Sequence, residues 1–126
     1  MHYLHTMIRV GNLEKSIQFY RALGFEVKSR ADYAEGKFSL VFLQQPGGKK
    51  SDPMLELTYN WGVEKYEVGS GYGHVAYRVE SMAAIADQLH QNGYQFSWGP
   101  GQTPDGGRAM AFVTDPDGYK IELLEG

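Results

Sequence analysis

Residues 54–78, MLELTYNWGVEKYEVGSGYGHVAYR, contain the end of one structural module and the start of the next. The run Met54–Tyr59 has strand composition and carries one acid, Glu56, between Leu55 and Leu57. The run Gly73–Val79 is a second strand, with His74 at its start. A Gly- and Tyr-rich connector separates the two. Residues of the same two types, His5 and Glu122, lie near the ends of the chain.

Upstream, Tyr3–Val10 alternates: Tyr3, His5, Met7 and Arg9 fall on one face, and Leu4, Thr6, Ile8 and Val10 on the other, which is strand periodicity. Asn12 is a helix N-cap type, with Glu14 where the helix dipole favours an acid. Leu13, Ile17 and Tyr20 then form an apolar helical stripe that Gly24 terminates. Strands are predicted at Phe25–Arg30, Phe38–Gln44 and Met54–Tyr59. Between the last two, PGGKKSDP at 46–53 reads as a mobile loop.

The same plan recurs downstream. His74–Val79 is a strand, Ser81 an N-cap, and Met82, Ile85, Ala86 and Leu89 a helical stripe ended by Gly93. Strands are predicted at Tyr94–Trp98, Arg108–Thr114 and Tyr119–Leu124, the last entered through the turn Asp115-Pro116-Asp117-Gly118. His5 and His74 stand 69 residues apart (74 − 5), as do Arg9 and Arg78, and Gly24 and Gly93. Glu56 and Glu122 stand 66 apart (122 − 56), so the intervening loops differ by three residues. The pattern predicts an α+β fold of two tandem β-α-β-β-β modules, about 1–60 and 73–126, forming one domain with open, curved mixed sheets.

Composition narrows the function. A chain of 126 residues supports one domain with a core. A net charge of −3 gives no electrostatic case for nucleic acid or an anionic membrane surface. The absence of cysteine excludes disulfides, thiolate metal sites and a Cys nucleophile. No apolar run has the length of a membrane span and no signal-peptide pattern opens the chain, so a cytoplasmic location is the default expectation.

Singly, each His and Glu has an ordinary explanation. A Glu between two leucines is usually the wet face of an amphipathic strand, and His2 and His90 read as surface residues. Asp115 and Asp117 read as servants of their turn. Repetition changes the balance: each module carries His on its first strand and Glu on its last. Two imidazoles and two carboxylates, His5, Glu56, His74 and Glu122, form a donor set for Ni²⁺, Co²⁺, Mn²⁺, Fe²⁺ or Zn²⁺.

These residues, with HTMIRVGNLEKSIQFY at 5–20, LELTYNWGVEKYEVGSGYGHVA at 55–76 and FVTDPDGYKIELLE at 112–125, resemble the vicinal oxygen chelate superfamily and, within it, the bacterial glyoxalase I family. The likeness runs nearly end to end. It implies that His5, Glu56, His74 and Glu122 are the metal ligands, that the chain forms a homodimer with sites at the subunit interface, and that Arg9 and Asn60 hold the γ-glutamyl end of glutathione. Ser70 stands where eukaryotic-type members carry an Arg for the glycyl carboxylate, and Lys120 where they carry a Trp. The compact length resembles the nickel- or cobalt-activated branch, which makes Ni²⁺ the expected metal, Co²⁺ the next and Zn²⁺ the last.

The resemblance implies a lyase that isomerises the hemithioacetal of methylglyoxal and glutathione to S-lactoylglutathione through an enediolate, a methylglyoxal-detoxifying reaction. A bound divalent cation would stabilise the developing charge. Glu122 is the expected base, with Glu56 assisting. Two alternatives use the same fold: an Fe²⁺ extradiol-type dioxygenase, whose triad needs only one carboxylate, and a non-catalytic antibiotic-binding protein, which needs no ligand set.

Overall fold

The computed structural model describes residues 1–126, which form two compact units, Met1–Glu67 and Val68–Gly126. The first contains β1 (His5–Arg9), α1 (Leu13–Ala22), β2 (Glu26–Tyr33), β3 (Phe38–Gln44) and β4 (Met54–Asn60). The second contains β5 (His74–Val79), α2 (Met82–Gln91), β6 (Trp98–Gln102), β7 (Ala109–Thr114) and β8 (Lys120–Glu125). The sheets share one topology, β1-β4-β3-β2 and β5-β8-β7-β6. In each, the first strand lies parallel to the last, and the remaining pairs are antiparallel. A parallel pair needs a long connection, which the helix and two intervening strands supply. The predicted α+β fold of tandem modules is therefore present.

Helix entry and exit follow local chemistry. The Asn12 side chain accepts from the Lys15 backbone N–H, and Ser81 accepts from Ala84 in the same way, satisfying otherwise orphaned donors. Past the helix ends, Gly24 and Gly93 take positive φ (100° and 85°), a conformation that carries no Cβ penalty in glycine. Leu13, Ile17 and Tyr20 are buried as the stripe requires; in α2, Met82 and Leu89 are buried while Ile85 and Ala86 are only partly covered.

Each sheet has a dry face and an open one. Ile8, Val41, Leu43, Leu55 and Leu57 form the dry face of the first, and Ala111, Val113, Ile121 and Leu123 that of the second. Period-two alternation then turns His5, Phe42 and Glu56, and likewise His74, Phe112 and Glu122, to the open faces. The hydrophobic pattern thus sets which side the polar residues occupy.

Some boundaries differ from expectation. β1 begins at His5, leaving Tyr3 and Leu4 exposed outside it, and β2 runs on to Tyr33 in a hairpin with β3. The strand predicted at Tyr94–Trp98 is displaced to Trp98–Gln102. There, a bulge between Trp98 and Gly101 absorbs Pro100, whose missing N–H is tolerated on an edge strand. The loop at 46–53 is tied down rather than open. Buried Gln44 donates from Nε2 to the carbonyls of Lys49 (2.7 Å) and Asp52 (3.2 Å), and the Asp52 carboxylate accepts from the Lys49 N–H at 2.8 Å. No helix is long and apolar enough to cross a membrane.

Candidate metal centre

The register of the parallel pairs builds the same half-site twice. Met7 pairs with Glu56 and Ala76 with Glu122, so each Glu stands beside the residue two past the module's His, on the same face. His5 Nε2 lies 2.9 Å from Glu56 Oε1, and His74 Nε2 lies 3.6 Å from Glu122 Oε1. Both carboxylates are mostly covered, with side chains 13% and 17% exposed, while the imidazoles are 38% and 41% exposed. Each half therefore holds its acid in place and offers its imidazole outward.

An aromatic ring supports each pair. Phe42 sits opposite Glu56 and meets the His5 ring edge-on at 5.7 Å; Phe112 sits opposite Glu122 and meets His74 edge-on at 5.4 Å. Such contacts restrict imidazole rotation and exclude water from one side of the carboxylate. These two phenylalanines escaped the sequence reading because Phe on a strand is ordinarily core. Their recurrence opposite the repeated Glu was the available signal.

The donor set suits a divalent transition ion: neutral imidazole nitrogen and hard carboxylate oxygen, with no thiolate. Two donors do not complete such a site, and no group of three or more His, Asp or Glu side chains able to hold a metal forms. His5 is brought to Glu56 and His74 to Glu122.

The remaining predicted residues fall on the same faces. Arg9 pairs with Thr58, and Thr58 lies between Glu56 and Asn60 at two-residue steps along β4. Arg9, Glu56 and Asn60 thus share the open face of the first sheet. In the second, Lys120 is the cross-strand neighbour of His74 and lines, with Ser70, Tyr72, His74 and Phe112, a cavity of about 420 Å³. The corresponding neighbour of His5 is Met54, so the two half-sites differ in charge at that position.

Of the two aspartates near the second half-site, Asp115 serves the turn with its side chain. Asp115 Oδ1 accepts from the backbone N–H groups of Asp117 and Tyr119, both at 2.9 Å, and Gly118 takes φ 95°. His90 is exposed on α2, and His2 contacts the Ser51 carbonyl.

Comparison with known proteins agrees with this geometry. Residues 2–123 match the family model for the Glyoxalase/Bleomycin resistance protein/Dioxygenase superfamily. The chain is 45% identical to the lactoylglutathione lyase of Escherichia coli O157:H7 over 126 residues, 99% of this chain and 93% of that one. Among solved structures, it resembles the trypanothione-dependent glyoxalase I of Leishmania major (43% identity, TM-score 0.84, 99% of this chain and 86% of that one). It also resembles glyoxalase I from Zea mays (34% identity, TM-score 0.91, 98% of this chain), of whose length it spans 44%. With the tandem modules and the repeated His–Glu register, these matches establish that the chain belongs to the Glyoxalase/Bleomycin resistance protein/Dioxygenase superfamily.

Proposed function

We propose that the chain is a lactoylglutathione lyase, converting the hemithioacetal of methylglyoxal and glutathione to S-lactoylglutathione. The observation that carries this reading is the duplicated half-site: one His and one Glu at matching register positions on the open face of each sheet. The likeness to lactoylglutathione lyases over nearly the whole chain supports it.

In this reading His5, Glu56, His74 and Glu122 hold one divalent ion, Ni²⁺ or Co²⁺ in preference to Zn²⁺. Each module supplies two donors, and the complementary two come from a second chain. The working protein is then a homodimer, each chain a single domain of two modules, with its sites at the subunit interface. When bound, the cation supplies Lewis-acid stabilisation of the negative charge that develops on the substrate's two oxygens.

The chain's own groups do the rest. Glu122 Oε takes the proton from the carbon bearing sulfur and returns it to the neighbouring carbonyl carbon. The C–H electron pair stays behind as the enediolate C=C bond; with the hydroxyl proton passing from the first oxygen to the second, reprotonation leaves the former carbonyl carbon an alcohol and the first carbon the thioester carbonyl. No atom is gained or lost overall. Glu56 assists from the opposite side, and Phe42 and Phe112 keep the two carboxylates from bulk water, where a base is weakest in its pull on carbon acids. Arg9 and Asn60 bind the α-amino acid head of glutathione, far from the reacting carbons.

The test is direct: strip the protein of metal, add back single divalent ions, and assay methylglyoxal with glutathione. The reading predicts an inactive apoprotein, with Ni²⁺ or Co²⁺ restoring more activity than Zn²⁺. Full activity without metal would contradict the mechanism.

A further inference from the structure

The row of open-face residues that crosses the second sheet at Glu122 ends in a tryptophan. Ala76 on β5 pairs with Glu122 on β8, Glu122 with Phe112 on β7, and Phe112 with Trp98 on β6. Ring contacts run back along this line: Trp98 meets Phe112 edge-on at 6.2 Å, and Phe112 meets His74 edge-on at 5.4 Å. Trp98 thus stands two strand spacings, about 10 Å, from Glu122, on the face that carries the His–Glu pair.

The fold does not require an indole at this place. The corresponding row of the first sheet runs Met7, Glu56, Phe42, Ser29, and Ser29 stands 69 residues before Trp98 (98 − 29), the spacing of His5 and His74. The two rows agree at Glu and Phe and differ at their ends, where the second has Ala76 and Trp98. Nor does Trp98 fill a core, since it is 51% exposed. It is nevertheless held: a Cβ on Gly101 would lie 2.5 Å from the benzo edge of the indole, so the ring takes the room that this glycine leaves on the same face.

The polarity of the face decides which part of a substrate reaches that ring. One same-face step from Glu122 lies the row of His74 and Lys120, where Ser70 and Tyr72 complete a polar, cationic cavity suited to a charged thiol. The indole leans the other way, toward Gly101 and its partner Met110. A half-exposed aromatic ring among apolar neighbours binds flat uncharged groups by stacking and area burial. We propose that Trp98 is a specificity-determining residue, the wall on which the substituent of the 2-oxoaldehyde packs, so that aryl substituents gain affinity from it that a methyl group does not. This rests on the assignment of Glu122 as the base, which puts the reacting carbons at that carboxylate. A methyl group on those carbons ends short of the indole, whereas an aryl ring extends past Phe112 toward it.

The experiment measures kcat and KM for the glutathione hemithioacetals of methylglyoxal and phenylglyoxal in the metal-loaded protein. Wild type is compared with Trp98→Ser, which copies the first module, and Trp98→Phe, which keeps a ring; unfolding midpoints check that both variants are folded. The aryl-to-methyl ratio of kcat/KM is expected to fall about tenfold in Trp98→Ser, through the KM of the aryl adduct, and to fall less in Trp98→Phe. An unchanged ratio in both variants overturns the role of Trp98, while wild-type turnover of both adducts leaves the lyase reading standing. A further arm replaces glutathione by γ-glutamylcysteine, with methylglyoxal as the aldehyde. If Trp98→Ser abolishes the difference between these two thiols and leaves the aldehyde ratio alone, the indole faces the thiol and the proposal falls. A wild-type protein loaded with Ni²⁺ or Co²⁺ that turns over neither adduct overturns the lyase reading and the proposal with it.

Discussion

Glu56 Oε1 lies 2.9 Å from His5 Nε2 because Glu56 pairs across the parallel strands with Met7, and His5 is two residues, hence one same-face step, away. The second module repeats this through Ala76, Glu122 and His74. Neither pair requires a loop to be placed. Both follow from strand register, which the buried aliphatic residues flanking each Glu (Leu55 and Leu57, Ile121 and Leu123) specify, since a one-residue slip would drive the acid into the core. A donor set built on strands is held more tightly than one on loops.

Glu122→Gln removes the proposed base while keeping the size of the side chain. The expected loss is about 10²–10⁴ in kcat. Metal content measured on the same sample separates loss of the ion from loss of the base. A metal-loaded Glu122→Gln enzyme with near-normal turnover would show that another group moves the proton.

Arg9→Ala should act on affinity instead. Arg9 lies beyond Glu56 on the open face of the first sheet, one same-face step past its row, and in the proposed function it holds a remote part of the substrate. KM is expected to rise with little change in kcat, the signature of binding energy shared by ground and transition states. An unchanged KM would mean the amino acid head lies elsewhere.

Asp115 is a structural counter-example to the two glutamates. Its buried carboxylate accepts from two backbone N–H groups of the turn that launches β8. Asp115→Ala should lower stability by about 1–3 kcal/mol, the cost of stranding buried donors, while Asp87→Ala, exposed on α2, should change it by about 0.5 kcal/mol or less. Denaturant titration of the two variants gives the comparison, and equal losses would refute the distinction.

The repeat made most of the fold legible. Spacing between His5 and His74, and between Glu56 and Glu122, located equivalent strands, and capping residues Asn12 and Ser81 located both helices. The sequence reading failed where tertiary pairing overrides local composition. Trp98–Gln102 contains two glycines and a proline and has no strand periodicity, yet it pairs with β7 as an edge strand through a bulge. The 46–53 loop looked unstructured because its staple, Gln44, is assigned by composition to the end of β3. In the candidate site, the repeated His and Glu positions were readable from spacing, whereas Phe42 and Phe112 meet the imidazoles through cross-strand contacts that spacing does not encode.

The central claim is that each working centre combines His5 and Glu56 of one chain with His74 and Glu122 of another. It is tested by complementation between two inactive variants, His5→Gln with Glu56→Gln in one and His74→Gln with Glu122→Gln in the other. Each variant alone should be inactive. Co-expressed with distinct tags and purified as the mixed dimer, the pair would contain one centre with all four ligands and one with none. The account predicts activity at about half the wild-type value per dimer, assuming independent sites. A mixed dimer that forms and remains inactive would contradict it, placing all four ligands of a centre on one chain.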